Sequence, residues 1–157
     1  MRRLIAVSLV ALLLAVILYM VATRVFISEE ARIEKQIQRG RKAIEDESIL
    51  TIALMVAEDY RDESGNDRST LLAQVRHFFQ VADNLKLGIR SVNVTVADSE
   101  AEALIRFTIS GMLSGESFAG LGSTGPESAR LRFSRRSGSW QVVEAAWGDH
   151  KSNTSDE

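Results

Sequence analysis

Two side chains of this sequence could act together as an acid and a base, namely Tyr60 and Glu144. Tyr60 shares a helical direction with Ile49, Ala53 and Val56, so its ring is expected to point inward. A buried phenol needs a hydrogen-bond partner or a wet cavity. If Glu144 faces the same cavity, its carboxylate could serve as the base and the phenol as the acid.

The last predicted strand leaves two interpretations of Glu144 open. Its alternation places Trp140, Val142, Glu144 and Ala146 on one face, and Gln141, Val143, Ala145 and Trp147 on the other. If the second set faces inward, Glu144 lies outside and forms a cross-strand ion pair with Arg106, Arg130 or Arg132. If the first set faces inward, a candidate ligand pocket combines two polar groups with three aromatic rings: Tyr60, Phe79, Phe107, Trp140 and Glu144.

Other chemistries have weaker support. The turn at 61–68, RDESGNDR, is rich in oxygen ligands but lacks the spacing of an EF-hand. His77 falls opposite the apolar stripe of its helix, so we expect it on the surface. The glycine-rich stretch 113–129 matches no phosphate-binding loop. We therefore expect no metal, no cofactor and no identifiable catalytic residue.

A charge-free run of apolar residues, Leu4 to Thr23, lies between Arg2/Arg3 and Arg24. Its length corresponds to a helix of about 30 Å, the thickness of the hydrocarbon core of a bilayer. The run is longer than the apolar region of a cleavable signal and ends in a poor cleavage site. The sequence therefore predicts a membrane anchor at 1–28, with a cleaved signal as the alternative.

The charges around this run give conflicting signals about its orientation. Arg2 and Arg3 favour a cytoplasmic N-terminus, whereas several basic residues follow the span, from Arg24 to Lys42. Because long domains translocate largely regardless of charge, we expect a single-pass protein with an exported C-terminal domain, periplasmic in a Gram-negative bacterium.

The chain after the anchor has the size of one domain, predicted at 29–147, followed by a disordered polar tail at 148–157. Three of the 19 basic residues precede residue 29, whereas all 21 acidic residues lie within 29–157, which leaves 16 against 21 and a net charge of −5. This balance argues against a nucleic-acid binder. Cysteine is absent, which excludes disulfides and thiol chemistry.

Periodicity predicts helices followed by strands. The helices are expected at 29–47, with Ile33, Ile37, Gly40 and Ile44 on one stripe, at 49–60, and at 69–84. Gly40 in that stripe indicates either a close backbone neighbour or a weak point in the helix. After Gly88 the period changes to two, which predicts an antiparallel sheet with half-buried strands around 92–96, 103–109 and 130–134 and a short strand near 117–119. The last strand, 140–147, has apolar residues on both faces, which indicates a central strand covered on both sides or one that reaches a partner.

Four sets of residues accompany this order of elements: Ala43-Ile44 with Asp46, Asp59-Tyr60 with Gly65, Leu72 with Phe79, and GSWQVV at 138–143. The pattern resembles the NTF2-like superfamily, also described as SnoaL-like or as the cystatin-like α+β cone, over roughly residues 33–147. The resemblance implies three helices packed on a curved antiparallel sheet. These marks concern the fold, and none is a catalytic signature.

Proteins of this superfamily include isomerases and dehydratases with an Asp, His or Tyr inside the cone, secretion scaffolds and binding modules. Because the inward strand positions here are apolar, we expect a non-enzymatic binding or scaffold module in the cell envelope. Its partners would be the bilayer, through Leu4–Thr23, and a second copy or another envelope protein on the sheet face with Arg106, Arg130 and Arg132. The alternative is a small-ligand binder or an isomerase- or dehydratase-like enzyme that uses the cavity.

Overall fold

The computed structural model describes Leu12 and residues 28–119 and 127–148. The anchor predicted at 1–28 and the tail predicted at 148–157 therefore lie almost entirely outside the described residues. Among the helices that are described, none is long and apolar enough to cross a bilayer.

The first helix, α1, spans Glu29–Glu45, two residues shorter at its C-terminal end than predicted. The Oγ of Ser28 accepts a hydrogen bond from the Ala31 backbone N–H, and two acidic residues in the first turn complement the helix dipole. Ile33, Ile37 and Ala43 are buried, and the two isoleucines belong to the core. The neighbour of Gly40 is the terminal methyl of Met55, 3.1 Å from where a Cβ would stand, rather than another backbone.

The second helix is shorter than predicted. Helix α2 spans Ile49–Met55, and the chain then enters strand β1, Val56–Asp62. Val56 adopts an extended conformation and pairs with Val142 of the last strand. Pairing with a distant strand thus overrides a local helical pattern, and the prediction that Tyr60 lies on a helix is wrong.

The third helix, α3, spans Arg68–Val81, three residues shorter at its C-terminal end than predicted. The carboxylate of Asp67 accepts a hydrogen bond from the Thr70 backbone N–H at its start. It ends early because Ala82 pairs with Leu113 and begins a strand.

The remaining strands are β2, Ala82–Ala97; β3, Glu100–Leu113; β4, Glu116–Ala119; β5, Glu127–Arg136; and β6, Ser139–Trp147. The strand order is β1-β6-β5-β3-β2, and β4 pairs with β3. All pairs are antiparallel except β1 with β6, which is parallel. The sheet is therefore mixed, and the prediction of a purely antiparallel sheet is wrong for this one pair.

One face of the sheet, here called the inner face, packs against α1 and forms the core. The predicted inward positions of β3 are confirmed: Ala103, Ile105, Phe107 and Ile109 are all buried. Irregular pairing between Arg132 and Phe133 leaves Val143 as an extra residue in β6, because Arg132 pairs with Glu144 and Phe133 with Val142. This bulge puts Trp140 and Val142 on the same face as Ala145 and Trp147, so each alternation proposed for β6 holds for half of the strand.

Candidate functional site

An apolar cavity of about 200 Å³ lies between α1 and the inner face of the sheet. Its sheet side is formed by aliphatic and aromatic residues from four strands: Leu87, Ile89, Ile105, Phe107, Ile109, Ala129, Leu131, Phe133, Val142 and Trp147. Its helix side is formed by α1 together with Met55 of α2. Because a cavity of about 150 Å³ with a similar lining can bind benzene, this space could hold a molecule of one ring or a short alkyl chain.

Trp147, which ends β6, belongs to the wall of this cavity. Its ring meets that of Phe107 edge to face, with 6.4 Å between the ring centroids. Trp147 is 58% exposed, whereas Phe107 is buried. The indole therefore has one part in the cavity wall and the other in solvent.

Two side chains of α1 that line the cavity each carry a buried polar atom without a hydrogen-bond partner. Gln36 donates from Nε2 to the Trp140 carbonyl oxygen at 3.4 Å, and its Oε1 is buried with no hydrogen-bond partner. Gln36 and Arg41 flank the apolar stripe of α1 on its two sides, and the Arg41 Nε is likewise buried without a partner. Buried polar atoms without a hydrogen-bond partner are rare in proteins. Gln36 and Arg41 therefore give α1 unused hydrogen-bonding capacity near the cavity.

Glu144 does not lie in the cavity. It pairs with Arg132 in the register of β5 and β6, and the carboxylate accepts a hydrogen bond from the Arg132 guanidinium at 2.8 Å. Arg132 also lies 3.7 Å from Glu100. The structure thus matches the outer-face interpretation of Glu144, a cross-strand ion pair, and not its role as a base in the pocket.

Tyr60 is 1% exposed and belongs to the core, but it does not line the cavity. Its neighbour Arg61 is the residue that pairs with Glu144, so Tyr60 and Glu144 lie on opposite faces of the sheet. Burial, followed by the charges of Asp62 and Glu144, raises the pKa of the Tyr60 hydroxyl to about 12. The proposed acid–base pair is therefore not assembled.

The three aromatic residues of the predicted pocket have different outcomes. Phe107 lines the cavity. Trp140 is buried but absent from the lining, and it donates from Nε1 to the Glu29 carboxylate at 2.8 Å, which fixes the first turn of α1 on β6. Phe79 is absent from the lining, and its neighbour Phe78 is the α3 ring that packs on the core.

The arginines of the predicted interaction face do not form one free cluster. Arg106 is exposed, Arg132 is engaged by Glu144, and Arg130 is half-buried with an unpartnered Nε. Leu104 pairs with Arg130 in the register of β3 and β5 and is 46% exposed. All four belong to the outer face, which is the side of the sheet away from α1.

The sequence interpretation missed Gln36, Arg41 and Trp147. The signal for Arg41 was its position on the helical wheel next to buried Ile37 and to Ile44, and the signal for Trp147 was its alternation with Ala145. No group of three or more His, Cys, Asp or Glu residues that could hold a metal ion occurs in the part of the chain that the structure describes.

No family model and no curated protein matches the sequence. Solved structures do match. An NTF2-like superfamily protein from Salmonella enterica is 11% identical, with 80% of this chain and 94% of that chain covered and a TM-score of 0.64. An NTF2-like protein of unknown function from Pseudomonas putida is 19% identical, with 78% and 89% covered and a TM-score of 0.61.

A protein with a cystatin-like fold from Caulobacter vibrioides is 16% identical, with 74% of this chain and 86% of that chain covered and a TM-score of 0.56. At identities this low, the structural similarity shows the fold and leaves the activity open. The order of three helices and a curved mixed sheet, together with these neighbours, shows that the chain has the NTF2-like, or cystatin-like, fold.

Proposed function

We propose that this chain is a membrane-tethered, non-enzymatic domain that binds a small apolar molecule in the cavity beneath α1. The observation that carries the proposal is the cavity itself, about 200 Å³ of apolar space between α1 and the sheet that is partly open to solvent. Filling such a space would restore contacts that the lining residues lack. Tethering rests on the run Leu4–Thr23 and on its length.

The lining of the cavity favours binding over catalysis. The lining residues that the structure describes include no carboxylate, imidazole or phenol that could move a proton. Glu144, the carboxylate that could have acted as a base, is occupied by Arg132 on the other face. A binding module needs no such group, so the geometry supports it without further assumptions.

The test compares the full chain in lipid nanodiscs with the variant Ala129→Leu, which adds three carbons inside the cavity. Calorimetric titration with 3-phenylpropanol, corrected with empty nanodiscs, should show saturable binding to the wild type and none to the variant. Circular dichroism would establish that both proteins are folded. Equal heats from the two proteins would contradict the proposal.

A second candidate function is self-association through the outer face. The exposed Leu104 lies among side chains of both signs, with Arg106 and Arg130 close to Glu102 and Glu144 in neighbouring pairs. Such a patch is complementary to its own copy when the copy is rotated by a two-fold axis. Sedimentation of the full chain in nanodiscs should show a dimer that Leu104→Asp dissociates, and a wild type that is monomeric at tens of micromolar would exclude it.

A further inference from the structure

Arg41 lines both the cavity and the open groove beside α1, so its side chain lies at the boundary between the two. Its side chain lines the cavity, its Nε is buried without an acceptor, and none of the ion pairs within 4.0 Å among the described residues includes it. Burying part of a guanidinium in this way is unfavourable unless an acceptor arrives.

The usual partner for Arg41 on a helix is already engaged elsewhere. Glu45 stands four residues later, where a carboxylate commonly pairs with an arginine. Its Oε1 instead accepts a hydrogen bond from the Leu87 backbone N–H at 3.1 Å, which connects the end of α1 to β2. The Glu45 carboxylate thus connects the helix to β2 and forms no ion pair with Arg41, which stays at the edge of the cavity.

The surface next to the cavity has the same sign of charge. Basic residues of α1 line an adjoining open groove: Arg32, Lys35, Arg39, Arg41 and Lys42. Of these, Arg32 and Lys42 have carboxylate partners at 3.1 Å and 3.2 Å, whereas no such partner is found for Lys35 or Arg39 among the described residues. A groove of this kind raises the local concentration of anions and directs them toward the cavity.

From these observations we infer that the ligand of the cavity is an apolar acid. Its ring or alkyl body occupies the space above Phe107 and Ile105, and its carboxylate accepts hydrogen bonds from the guanidinium of Arg41. The inference rests on the proposed function and adds to it the chemical class of the ligand. Arginine suits this task because its planar fork of donors matches the two oxygens of a carboxylate.

The test uses two ligands of equal size that differ in charge, 3-phenylpropionate and 3-phenylpropanol, titrated at pH 7 into the full chain in nanodiscs. The proteins are the wild type, Arg41→Met, and Arg39→Met as a control on the same helix that removes a charge outside the cavity. The wild type should bind the acid about tenfold or more tightly than the alcohol, since a charge-assisted hydrogen bond is worth at least that factor. Arg41→Met should abolish this preference, whereas Arg39→Met, which removes one charge of the groove and no cavity contact, should reduce it by a smaller factor.

The outcomes separate the two proposals. If the alcohol and the acid bind the wild type equally, and Arg41→Met changes neither affinity, the inference about the acid is wrong while the cavity remains a binding site. If Arg39→Met lowers the affinity for the acid as much as Arg41→Met does, the preference comes from the general field of the groove, and the contact with Arg41 is excluded. If neither ligand binds, the proposed function itself fails.

Discussion

Tyr60 places a hydroxyl inside the core without giving it a partner. Its side chain is almost fully buried, and the hydroxyl makes no hydrogen bond with the described residues. A buried donor in this state costs roughly 1–3 kcal/mol, whereas an apolar residue of the same shape avoids that cost. The ring stabilises the core by packing, whereas the buried hydroxyl lowers the stability.

Replacing Tyr60 by Phe should therefore raise the free energy of unfolding by about 1 kcal/mol at pH 7. The change should also alter the response to alkali. Because the pKa of Tyr60 rises from 10.0 in the unfolded chain to about 12 in the folded one, the unfolded state loses its proton first, and the stability present below pH 10 is lost as the pH rises toward 12. Denaturant titrations at pH 8 and pH 11 should show this loss for the wild type and a smaller one for the variant. A large destabilisation by Tyr60→Phe at pH 8 would indicate a hydrogen bond to the hydroxyl.

Glu144 has a structural role on the outer face. The Glu144→Gln change should lower the free energy of unfolding by less than about 1 kcal/mol, since its partner Arg132 is about half exposed and solvent screens the pair. Binding of 3-phenylpropanol should be unaffected, because the carboxylate lies across the sheet from the cavity. Chemical denaturation and calorimetry of the same samples would measure both effects, and a loss of binding without a loss of stability would restore Glu144 to the site.

At the scale of the secondary-structure elements, replacement by alanine should have opposite effects on stability at two glycines, Gly40 and Gly111. In α1, a Cβ at Gly40 would stand 3.1 Å from the flexible end of Met55, which can move, so Gly40→Ala should stabilise the helix by up to about 1 kcal/mol. In β3, a Cβ at Gly111 would stand 2.9 Å from the Asp83 backbone oxygen and 3.0 Å from Leu85 and Phe118. Gly111→Ala should therefore destabilise by about 1–3 kcal/mol. Thermal unfolding of the two variants should shift the midpoint in opposite directions, and shifts of the same sign would contradict this account.

The same elements show which parts of the fold the sequence could predict. The inward positions of β3 and β5 were predictable because each strand alternates with period two and one of its faces is packed on the core, and those of β2 alternate in the same way but are only partly buried. Strand β1 was not, since Val56–Asp62 continues a helical pattern and becomes a strand only by pairing with β6. The extra residue at Val143 was also hidden, because alternation by itself does not reveal a bulge.

The candidate site was predictable only in part, and for the same reason. Phe107 follows from the regular alternation of β3, whereas Trp147 depends on the bulge that precedes it in β6. Gln36 and Arg41 flank the apolar stripe of α1, at positions where a polar side chain can point either to solvent or to the core. Packing of α1 against the sheet decides between these two directions, and the sequence of α1 alone does not reveal that packing.

At the scale of the whole molecule, the tether is the part that needs a direct experiment. If Leu4–Thr23 spans the bilayer, the full chain should stay in the membrane fraction after a carbonate wash, and a chain that starts at Ser28 should not. Protease added to intact cells, or to cells with a permeabilised outer membrane, should reach the domain if it is exported. Recovery of the full chain in the soluble fraction would contradict the tether, and protection from protease would reverse its orientation.

The parallel pairing of β1 with β6 has a consequence for the order in which the molecule assembles. Strand β1 ends at Asp62, but its only hydrogen-bonded neighbour among the described strands begins at Ser139, near the end of the chain. During synthesis, β1 therefore stays unpaired until β6 has been made. Closing the long loop between Asp62 and Ser139 slows folding. Because β6 supplies that pairing, a chain that stops before Ser139 has no native partner for β1 and leaves Tyr60 without its native packing.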